Sequence, residues 1–254
     1  RDLLRAITSQ EFVVYYQPQI DTRSRTVHGV EALIRWQHPE RGLVGPVEFI
    51  SLAEERGIIL EIGEWLLEHA LEQVSEWHRA GFPDLALSVN ATPRQLEHPE
   101  LVTTVQRALN RSGLDAHSLK FEIVERGIVE ENERVRAAMH ELAEAGIRFH
   151  VDDFGTGGAA ITYLRNFPIE TIKVDRSFVA DLARHEGLVR GLVAFAENLG
   201  LKIIVEGVET ESQLEFFEGL GCRLYQGFYF AKPLPAEDCF RFLGDFRLQS
   251  DSAN

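Results

Sequence analysis

Long apolar runs and basic charge are both scarce in this chain of 254 residues. No apolar stretch approaches the roughly 20 residues that a membrane-spanning helix needs, and no leader of signal-peptide type is visible. We therefore expect a cytoplasmic domain without membrane contact. Lysine and arginine number 26 against 40 acidic residues, which gives a formal net charge of −14. A chain so poor in basic surface is not expected to hold a long nucleic acid.

Sulfur-containing residues are few as well. Cys222 and Cys239 are the only cysteines and lack the spacing of a metal site, so we expect reduced thiols that serve packing. The only methionine is Met139 and the sequence starts at Arg1, which leads us to expect a piece cut from a longer protein.

Eight apolar and β-branched runs are predicted strands, at 13–20, 27–34, 85–90, 119–124, 147–152, 171–175, 202–206 and 222–228. Helix-period segments follow from the second strand on, among them 59–80, 101–112, 129–145, 188–199 and 211–220. This alternation predicts an α/β fold, a TIM-like (β/α)₈ barrel. The first connection, 21–26, is too short for a helical crossover, so the first strand is predicted to be antiparallel.

Linkers and internal repeats are missing between residues 10 and 245, so one domain is predicted. We expect a helical lead-in over 1–10, the barrel over 11–245, and a C-terminal tail over 246–254 that is disordered from 249 onward.

Several predicted strands alternate polar with apolar residues, as where Lys120 and Glu122 face away from Leu119 and Phe121. The apolar set must face the helices, so the polar set points into the barrel. The last polar residues fall at the C-terminal strand ends, where barrels of this type carry active sites. These residues are Glu31, Asn90, Glu122, Asp152 with Asp153, Lys173 with Asp175, Glu206 and Gln226.

Carboxylates packed at one mouth repel each other unless cations neutralise them. Only oxygen ligands are offered by Glu31, Asn90, Glu122, Asp152 and Asp153, which favours Mg²⁺ or Mn²⁺ over Zn²⁺. Because Asp152 and Asp153 are adjacent, one carboxylate can bridge while the other reaches a second ion, so two ions about 3.5–4 Å apart are expected.

Two further residues at this mouth have the chemistry to activate water. The ammonium of Lys173 is suited to orienting an attacking water, and Glu206 is suited to accepting its proton. A buried Lys–Glu ion pair without catalytic work is the alternative interpretation.

Together the motifs resemble the EAL domain family, whose name-giving tripeptide is here Glu31-Ala32-Leu33. The resemblance covers about residues 3–245. Its other blocks are YYQPQID (15–21), FISLAEERGII (49–59), SVNATPRQL (88–96), FEIVE (121–125), VDDFGTG (151–157), IKVDRSFV (172–179), VEGVET (205–210) and QGFYFAKPLP (226–235).

The resemblance implies a phosphodiesterase that hydrolyses cyclic di-GMP to linear pGpG with Mg²⁺ or Mn²⁺. It implies the metal ligands and the water-activating pair named above. It also implies that Leu33 and Arg35 contact substrate, Arg35 through a phosphate, that Asp175 and Gln226 are site residues, and that Glu125 steadies the loop after the fifth strand. A homodimer and an attached sensory or GGDEF-type domain are the further implied partners.

One block departs from the family pattern. The glycine motif commonly continues with an aromatic residue and two serines, whereas this chain has Gly158-Ala159-Ala160. We expect slower turnover, weaker metal binding or altered dimerisation. Two other functions stay open: a catalytically weak or inactive cyclic di-GMP receptor, and an unrelated metal-dependent barrel enzyme such as a lyase.

Overall fold

The computed structural model describes residues 2–125, 133–156, 164 and 166–252. The strands are β1 (Phe12–Asp21), β2 (Thr26–His38), β3 (Gly42–Val44), β4 (Ala86–Asn90), β5 (Leu119–Val124), β6 (Arg148–Phe154), β7 (Ile169–Val174), β8 (Lys202–Glu206), β9 (Leu224–Gln226) and β10 (Leu234–Pro235). The helices are α1 (Asp2–Thr8), α2 (Ile50–Arg56), α3 (Ile59–Arg79), α4 (Pro93–Leu96), α5 (Leu101–Ser112), α6 (Glu133–Glu144), α7 (Arg176–Ala180), α8 (Leu182–Asn198), α9 (Glu211–Gly219) and α10 (Ala236–Ser252).

Within these described residues, eight strands close into a barrel in the order β1-β2-β4-β5-β6-β7-β8-β9 and back to β1. The first strand, β1, runs antiparallel to both of its barrel neighbours, and the other barrel pairs are parallel. Strands β3 and β10 pair with β2 and β1 outside this ring. The predicted TIM-like barrel with an antiparallel first strand is therefore confirmed.

The helices lie close to the predicted segments. Helices α3, α5 and α9 match the predicted ranges to within one residue, whereas α8 begins six residues earlier than predicted, at Leu182. Helix α6 covers 133–144 of the predicted 129–145, and residues 129–132 lie outside the described part. The lead-in helix α1 buries Leu3 and Ala6 in the main hydrophobic core, so it packs as part of the barrel domain.

The C-terminal end differs from the sequence prediction. Helix α10 continues to Ser252, so most of the segment 246–254 that we expected to be a tail is helical. On this helix Phe242 and Phe246, four residues apart, stack at 5.6 Å, a spacing that supports the helix at the start of the segment. Arg247 also donates to the carbonyl oxygen of Gly81 at 3.0 Å.

Polar residues fill the barrel interior, as the alternation in the sequence predicted. Ser88, His150 and Lys173 are buried inside the ring, although their residue types usually prefer the surface. The apolar partners on the same strands, such as Leu87 and Val151, are buried against the helices. This division gives the barrel an apolar outer layer and a polar axis that leads to the site.

Candidate active site

The carboxyl ends of the strands bring the predicted site residues to one mouth. Asn90 and Glu122 are register neighbours on β4 and β5, and Glu206 and Gln226 are register neighbours on β8 and β9. Glu31 lies in the middle of β2 rather than near its end, because that strand continues well past the barrel rim. It still reaches the same level, since β2 pairs with β4 only as far as the next residue.

Lys173 lies at the centre of this mouth with its side chain fully buried. Its Nζ lies 2.5 Å from Glu122 Oε2, 2.6 Å from Glu206 Oε1, 3.3 Å from Asp152 Oδ1 and 3.4 Å from Glu31 Oε2. One ammonium therefore serves four carboxylates. Since buried charges are stable only when they are compensated, this cluster is short of positive charge.

Two amides hold the carboxylate of Glu31. Asn90 Nδ2 donates to Glu31 Oε1 at 2.7 Å, and Gln226 Nε2 donates to Glu31 Oε2 at 2.6 Å. Because each oxygen has its own donor, the carboxylate plane is fixed. The structure thus brings three of the predicted residues into direct contact.

The electrostatics reflect this shortage of positive charge. Burial and the charge of Glu122 raise the pKa of Glu31 to about 7, against the attraction of Lys173. Burial alone would raise the pKa of Glu122, but Lys173 and His150 lower it to about 2. Burial would lower the pKa of Lys173, yet the surrounding carboxylates raise it well above its usual value. Burial and nearby carboxylates, opposed by Lys173, raise the pKa of Glu206 well above normal.

The adjacent aspartates reach the same side through a backbone kink. Neighbouring residues of a strand normally point to opposite faces. Asp153 has a φ of 53°, a left-handed value that is uncommon outside glycine, and the β6–β7 register breaks between Val151 and Phe154. As a result, one carboxylate oxygen each from Asp152, Asp153 and Glu206 lies within 4.8 Å of the other two.

This donor set fits a divalent cation. The three groups offer only oxygen atoms, which suit Mg²⁺ or Mn²⁺. Asp152 Oδ1 is buried and lies 3.3 Å from the Lys173 ammonium, but it accepts no hydrogen bond from the described part of the chain, which leaves an acceptor that a cation would satisfy. The set includes Glu206, the residue that the sequence predicts to accept a proton from water. Glu31 and Glu122 face Lys173 instead, and the Asn90 amide nitrogen points at Glu31.

A cavity of about 500 Å³ with mainly apolar walls adjoins the carboxylate cluster. Leu33 and Glu122 both line it, so the cavity opens onto the cluster. Arg35 lies two residues further along β2. Its Nη1 donates to the carbonyl oxygen of Ile34 at 2.9 Å, and its guanidinium carbon lies 5.7 Å from the ring centroid of Tyr15.

Asp175 lies just past the end of β7 and caps helix α7. Its Oδ1 accepts from the backbone nitrogen of Ser177 at 3.1 Å and also from the Ser177 hydroxyl. Burial, then Asp152, then Asp175, raise the pKa of Asp153 to about 6. Asp175 therefore belongs to the same electrostatic cluster, at its edge.

Glu125 holds the loop that follows β6. It is buried, and its Oε2 accepts from the backbone nitrogen of Gly155 at 2.8 Å. Gly155 has a φ of 97°, and a Cβ there would lie 3.0 Å from the Phe178 ring, so only glycine fits. This contact lies two residues after Asp153. Gly158-Ala159-Ala160, further along, lie outside the described residues, and their expected effect stays a prediction.

Three further buried residues adjoin the cluster, and sequence reasoning did not single out the two glutamines among them. Gln17 and Gln19 point inward from β1 and contact the cluster through their amides. His150 Nδ1 lies 3.8 Å from Glu122 Oε1. The same period-two alternation would have found both glutamines in YYQPQID, had it been applied to β1.

The fold and site define a TIM-like barrel with an acidic, lysine-centred cluster at its C-terminal mouth. The sequence pattern of the EAL domain matches residues 1–233. The chain belongs to the EAL domain family.

Curated relatives extend this similarity. The bifunctional diguanylate cyclase/cyclic di-GMP phosphodiesterase MucR of Pseudomonas aeruginosa is 38% identical over 93% of this chain. The cyclic di-GMP phosphodiesterase PdeR of Escherichia coli is 37% identical over 92% of it. The chain covers 35% and 36% of these two proteins, about a third of their length.

A solved structure described as the PaMucR phosphodiesterase in complex with c-di-GMP superposes with a TM-score of 0.90 at 38% identity. The superposition covers 94% of this chain and 98% of that one. Among the described helices, none is long and apolar enough to cross a membrane.

Proposed function

We propose that this chain is a phosphodiesterase that hydrolyses cyclic di-GMP to linear pGpG and requires Mg²⁺ or Mn²⁺. The observation that carries the proposal is the cluster of four carboxylates around Lys173, at the mouth of a barrel similar to that of a c-di-GMP-bound phosphodiesterase. The relatives named as cyclic di-GMP phosphodiesterases support the same reaction.

The substrate would lie across the mouth. The apolar cavity lined by Leu33 offers a surface for a flat purine base, next to the carboxylate cluster. Arg35, held above Tyr15, would donate to a phosphate oxygen. Asp175, just past the end of the strand that carries Lys173, and Gln226, two strands away on β9, would complete the wall around the phosphodiester.

The residues that would hold two divalent ions are Glu31, Asn90, Glu122, Asp152 and Asp153, with Glu206 close to the last two. Bound there, the ions would neutralise the carboxylates and stabilise negative charge that develops on the phosphate. This also explains how a chain with a net charge of −14 holds an anionic substrate.

Lys173 and Glu206 would handle the attacking water. The fully buried Lys173 ammonium lies 2.6 Å from Glu206 Oε1, so it would orient a water that sits beside the pair in reach of both groups, and Glu206 would accept the proton. Burial and the neighbouring carboxylates raise the pKa of Glu206 well above its usual value, which favours its protonated form while the cluster lacks cations. Positive charge next to Asp152 would lower that pKa and leave Glu206 ionised as a base.

The experiment is incubation of the purified chain with cyclic di-GMP and Mg²⁺ or Mn²⁺, followed by chromatography of the nucleotides. We expect pGpG to form with metal and not in excess chelator. The matched control is the Glu206→Gln variant, which keeps the shape of the site and should form little product. Intact cyclic di-GMP after long incubation at saturating metal would refute the proposal.

The second candidate is a receptor that binds cyclic di-GMP without turnover. Lys173 already compensates part of the negative charge, which favours binding even without a metal. Calorimetric binding of cyclic di-GMP in chelator, together with no hydrolysis at saturating metal, would identify this function. An attached sensory or GGDEF-type domain, a homodimer and a cytoplasmic location remain predictions.

A further inference from the structure

A chain of three glutamine amides runs beneath the carboxylate cluster. Gln19 Nε2 lies 3.3 Å from Glu122 Oε1 and 3.0 Å from Gln226 Oε1. Gln226 Nε2 lies 2.6 Å from Glu31 Oε2 and 3.1 Å from Gln17 Oε1. All three glutamines are buried, and Gln19 is only 1% exposed. The hydrogen-bonded glutamines Gln19 and Gln226 therefore link the carboxylates of Glu122 and Glu31 through buried side chains.

The two carboxylates fix the direction of every hydrogen bond in this chain. The ionised carboxylate of Glu122 only accepts, and both oxygens of Glu31 accept from amide donors, so Gln19 turns its NH₂ group toward Glu122, and Gln226 turns its NH₂ group toward Glu31. The carbonyl oxygen of Gln226 then needs a donor, and the second N–H of Gln19 supplies it. A reversed Gln226 amide would place its oxygen against Glu31 and lose that contact.

The barrel wall is shaped to admit the Gln19 side chain. Gly29 lies opposite Gln19 in the β1–β2 register, next to a bulge that follows Gln19. A Cβ at position 29 would lie 3.3 Å from Gln19 Oε1 and 2.9 Å from the carbonyl oxygen of Ala86. A side chain at this position would therefore crowd both Gln19 and the neighbouring strand.

We propose that Gln19 is a positioning residue for the metal site, which orients Glu122 directly and Glu31 through Gln226. The inference rests on the proposed function, because it assigns Glu31 and Glu122 to a divalent ion. Groups that hydrogen-bond to metal ligands fix ligand orientation, and their loss typically costs about 10–100-fold in metal affinity or activity.

The test compares Gln19→Met with Ser88→Ala. Methionine has nearly the volume of glutamine but donates nothing, so both hydrogen bonds are lost with little change in packing. Ser88 is buried inside the same barrel, and its hydroxyl has no hydrogen-bond partner among the described residues. Its replacement perturbs the interior without removing a hydrogen bond, which makes it the matched control.

The readout is the Mn²⁺ dissociation constant, measured by calorimetry without substrate on samples shown to be folded by denaturant unfolding. We expect Gln19→Met to raise it about 10–100-fold and Ser88→Ala to leave it within about twofold of the wild type. Equal Mn²⁺ affinity in Gln19→Met and the wild type would overturn the positioning role alone. Absence of Mn²⁺ binding by the wild-type chain would overturn both this role and the proposed metal dependence.

A measurement on the wild-type chain keeps the inference testable should Gln19→Met fail to fold. In ¹⁵N-resolved NMR, the side-chain amide signals of Gln19 should shift when Mg²⁺ is added, because Glu122 changes from a free acceptor to a ligand. Gln73, whose amide donates to Glu76 on the surface of α3, serves as the reference that should not shift. Unchanged Gln19 signals at saturating Mg²⁺ would contradict the proposal.

Discussion

Lys173 Nζ lies 2.6 Å from Glu206 Oε1, and the lysine is excluded from solvent while the glutamate keeps 16% of its side chain exposed. The lysine is therefore the buried member of this ion pair, and the glutamate is the solvent-facing member. The ammonium is anchored in the interior by other carboxylates, and the carboxylate of the pair is the member that reaches solvent. This asymmetry is the one that a water-activating pair needs, because the base must exchange its proton with solvent.

Glu206→Gln should lower kcat by about 10²–10⁴-fold, the usual loss of a general base, and leave cyclic di-GMP binding largely intact. The amide keeps the shape but does not accept a proton. Steady-state kinetics and calorimetric binding measure the two effects separately. Glu170→Gln is the matched control, because Glu170 pairs with Lys202 at the start of β7, and it should leave kcat unchanged. Near-normal turnover in Glu206→Gln would reassign the residue to a structural ion pair.

Mg²⁺ or Mn²⁺ should be required for hydrolysis and should raise the unfolding temperature, because an ion that binds only the folded chain stabilises it. Ca²⁺ should support much less turnover, since it adopts larger and looser coordination. Differential scanning fluorimetry and product chromatography, each in chelator and with each ion, measure both effects. Full turnover after exhaustive chelation would contradict the metal requirement.

The stability of the metal-free chain should fall as pH rises from about 4.5 to 7. Glu31 has an ordinary pKa of 4.5 that is raised to about 7 in the folded chain, so the folded state holds a proton that the unfolded state releases. The unfolding free energy then decreases with pH, by up to about 1.4 kcal/mol per unit for one such group. Glu206 acts in the same direction.

Urea unfolding in chelator between pH 4.5 and 8 checks this prediction. Glu31→Gln, which removes the titrating group, should show a shallower dependence, and saturating Mg²⁺ should remove most of it by keeping the carboxylates ionised. Identical slopes in chelator and in Mg²⁺ would show that these carboxylates do not govern the effect.

Composition and periodicity predicted the barrel, its reversed strand and the convergence of the strand-end residues, because these depend on alternation and connection length. The kink at Asp153 was not predictable, because a left-handed aspartate leaves no signal in the residue pattern. The central place of Lys173 was also missed. The sequence places it at a strand end, but only the relative heights of neighbouring strands show that four carboxylates reach its ammonium.

Glu125→Ala should weaken the metal site although Glu125 is not among the predicted ligands. Its carboxylate accepts from Gly155 and so fixes the backbone that follows Asp153. We expect about a tenfold higher Mn²⁺ concentration for half-maximal rate in Glu125→Ala, and a smaller change in Glu125→Gln, which keeps an acceptor oxygen. Activity titrations with Mn²⁺ compare the two variants, and superimposable curves for Glu125→Ala and the wild type would contradict the loop role.

Gly63→Ala should gain little or no stability, although the same change in an exposed helix interior normally stabilises a protein by up to about 1 kcal/mol. Gly63 lies within α3, and a Cβ there would overlap the Gln95 amide nitrogen. Gln95 belongs to the capping box of α4: its oxygen accepts from the backbone nitrogen of Thr92, whose hydroxyl accepts in return. Displacing this amide loosens the turn that directly follows Asn90.

Gly191→Ala provides the contrast in the same protein. Gly191 lies in the interior of α8 and is exposed, and outside its own helix backbone no described residue lies within 4 Å of where its Cβ would be. The Gly191→Ala variant should therefore gain the ordinary helix propensity of alanine, which raises the unfolding free energy by up to about 1 kcal/mol. Losing a cap costs about 1 kcal/mol, which offsets the helix-propensity gain, so Gly63→Ala should stabilise the chain less than Gly191→Ala does. If urea unfolding shows both variants to be stabilised alike, the Gln95 side chain moves aside freely, and the packing of α3 against α4 does not hold the Asn90 end of β4 in place.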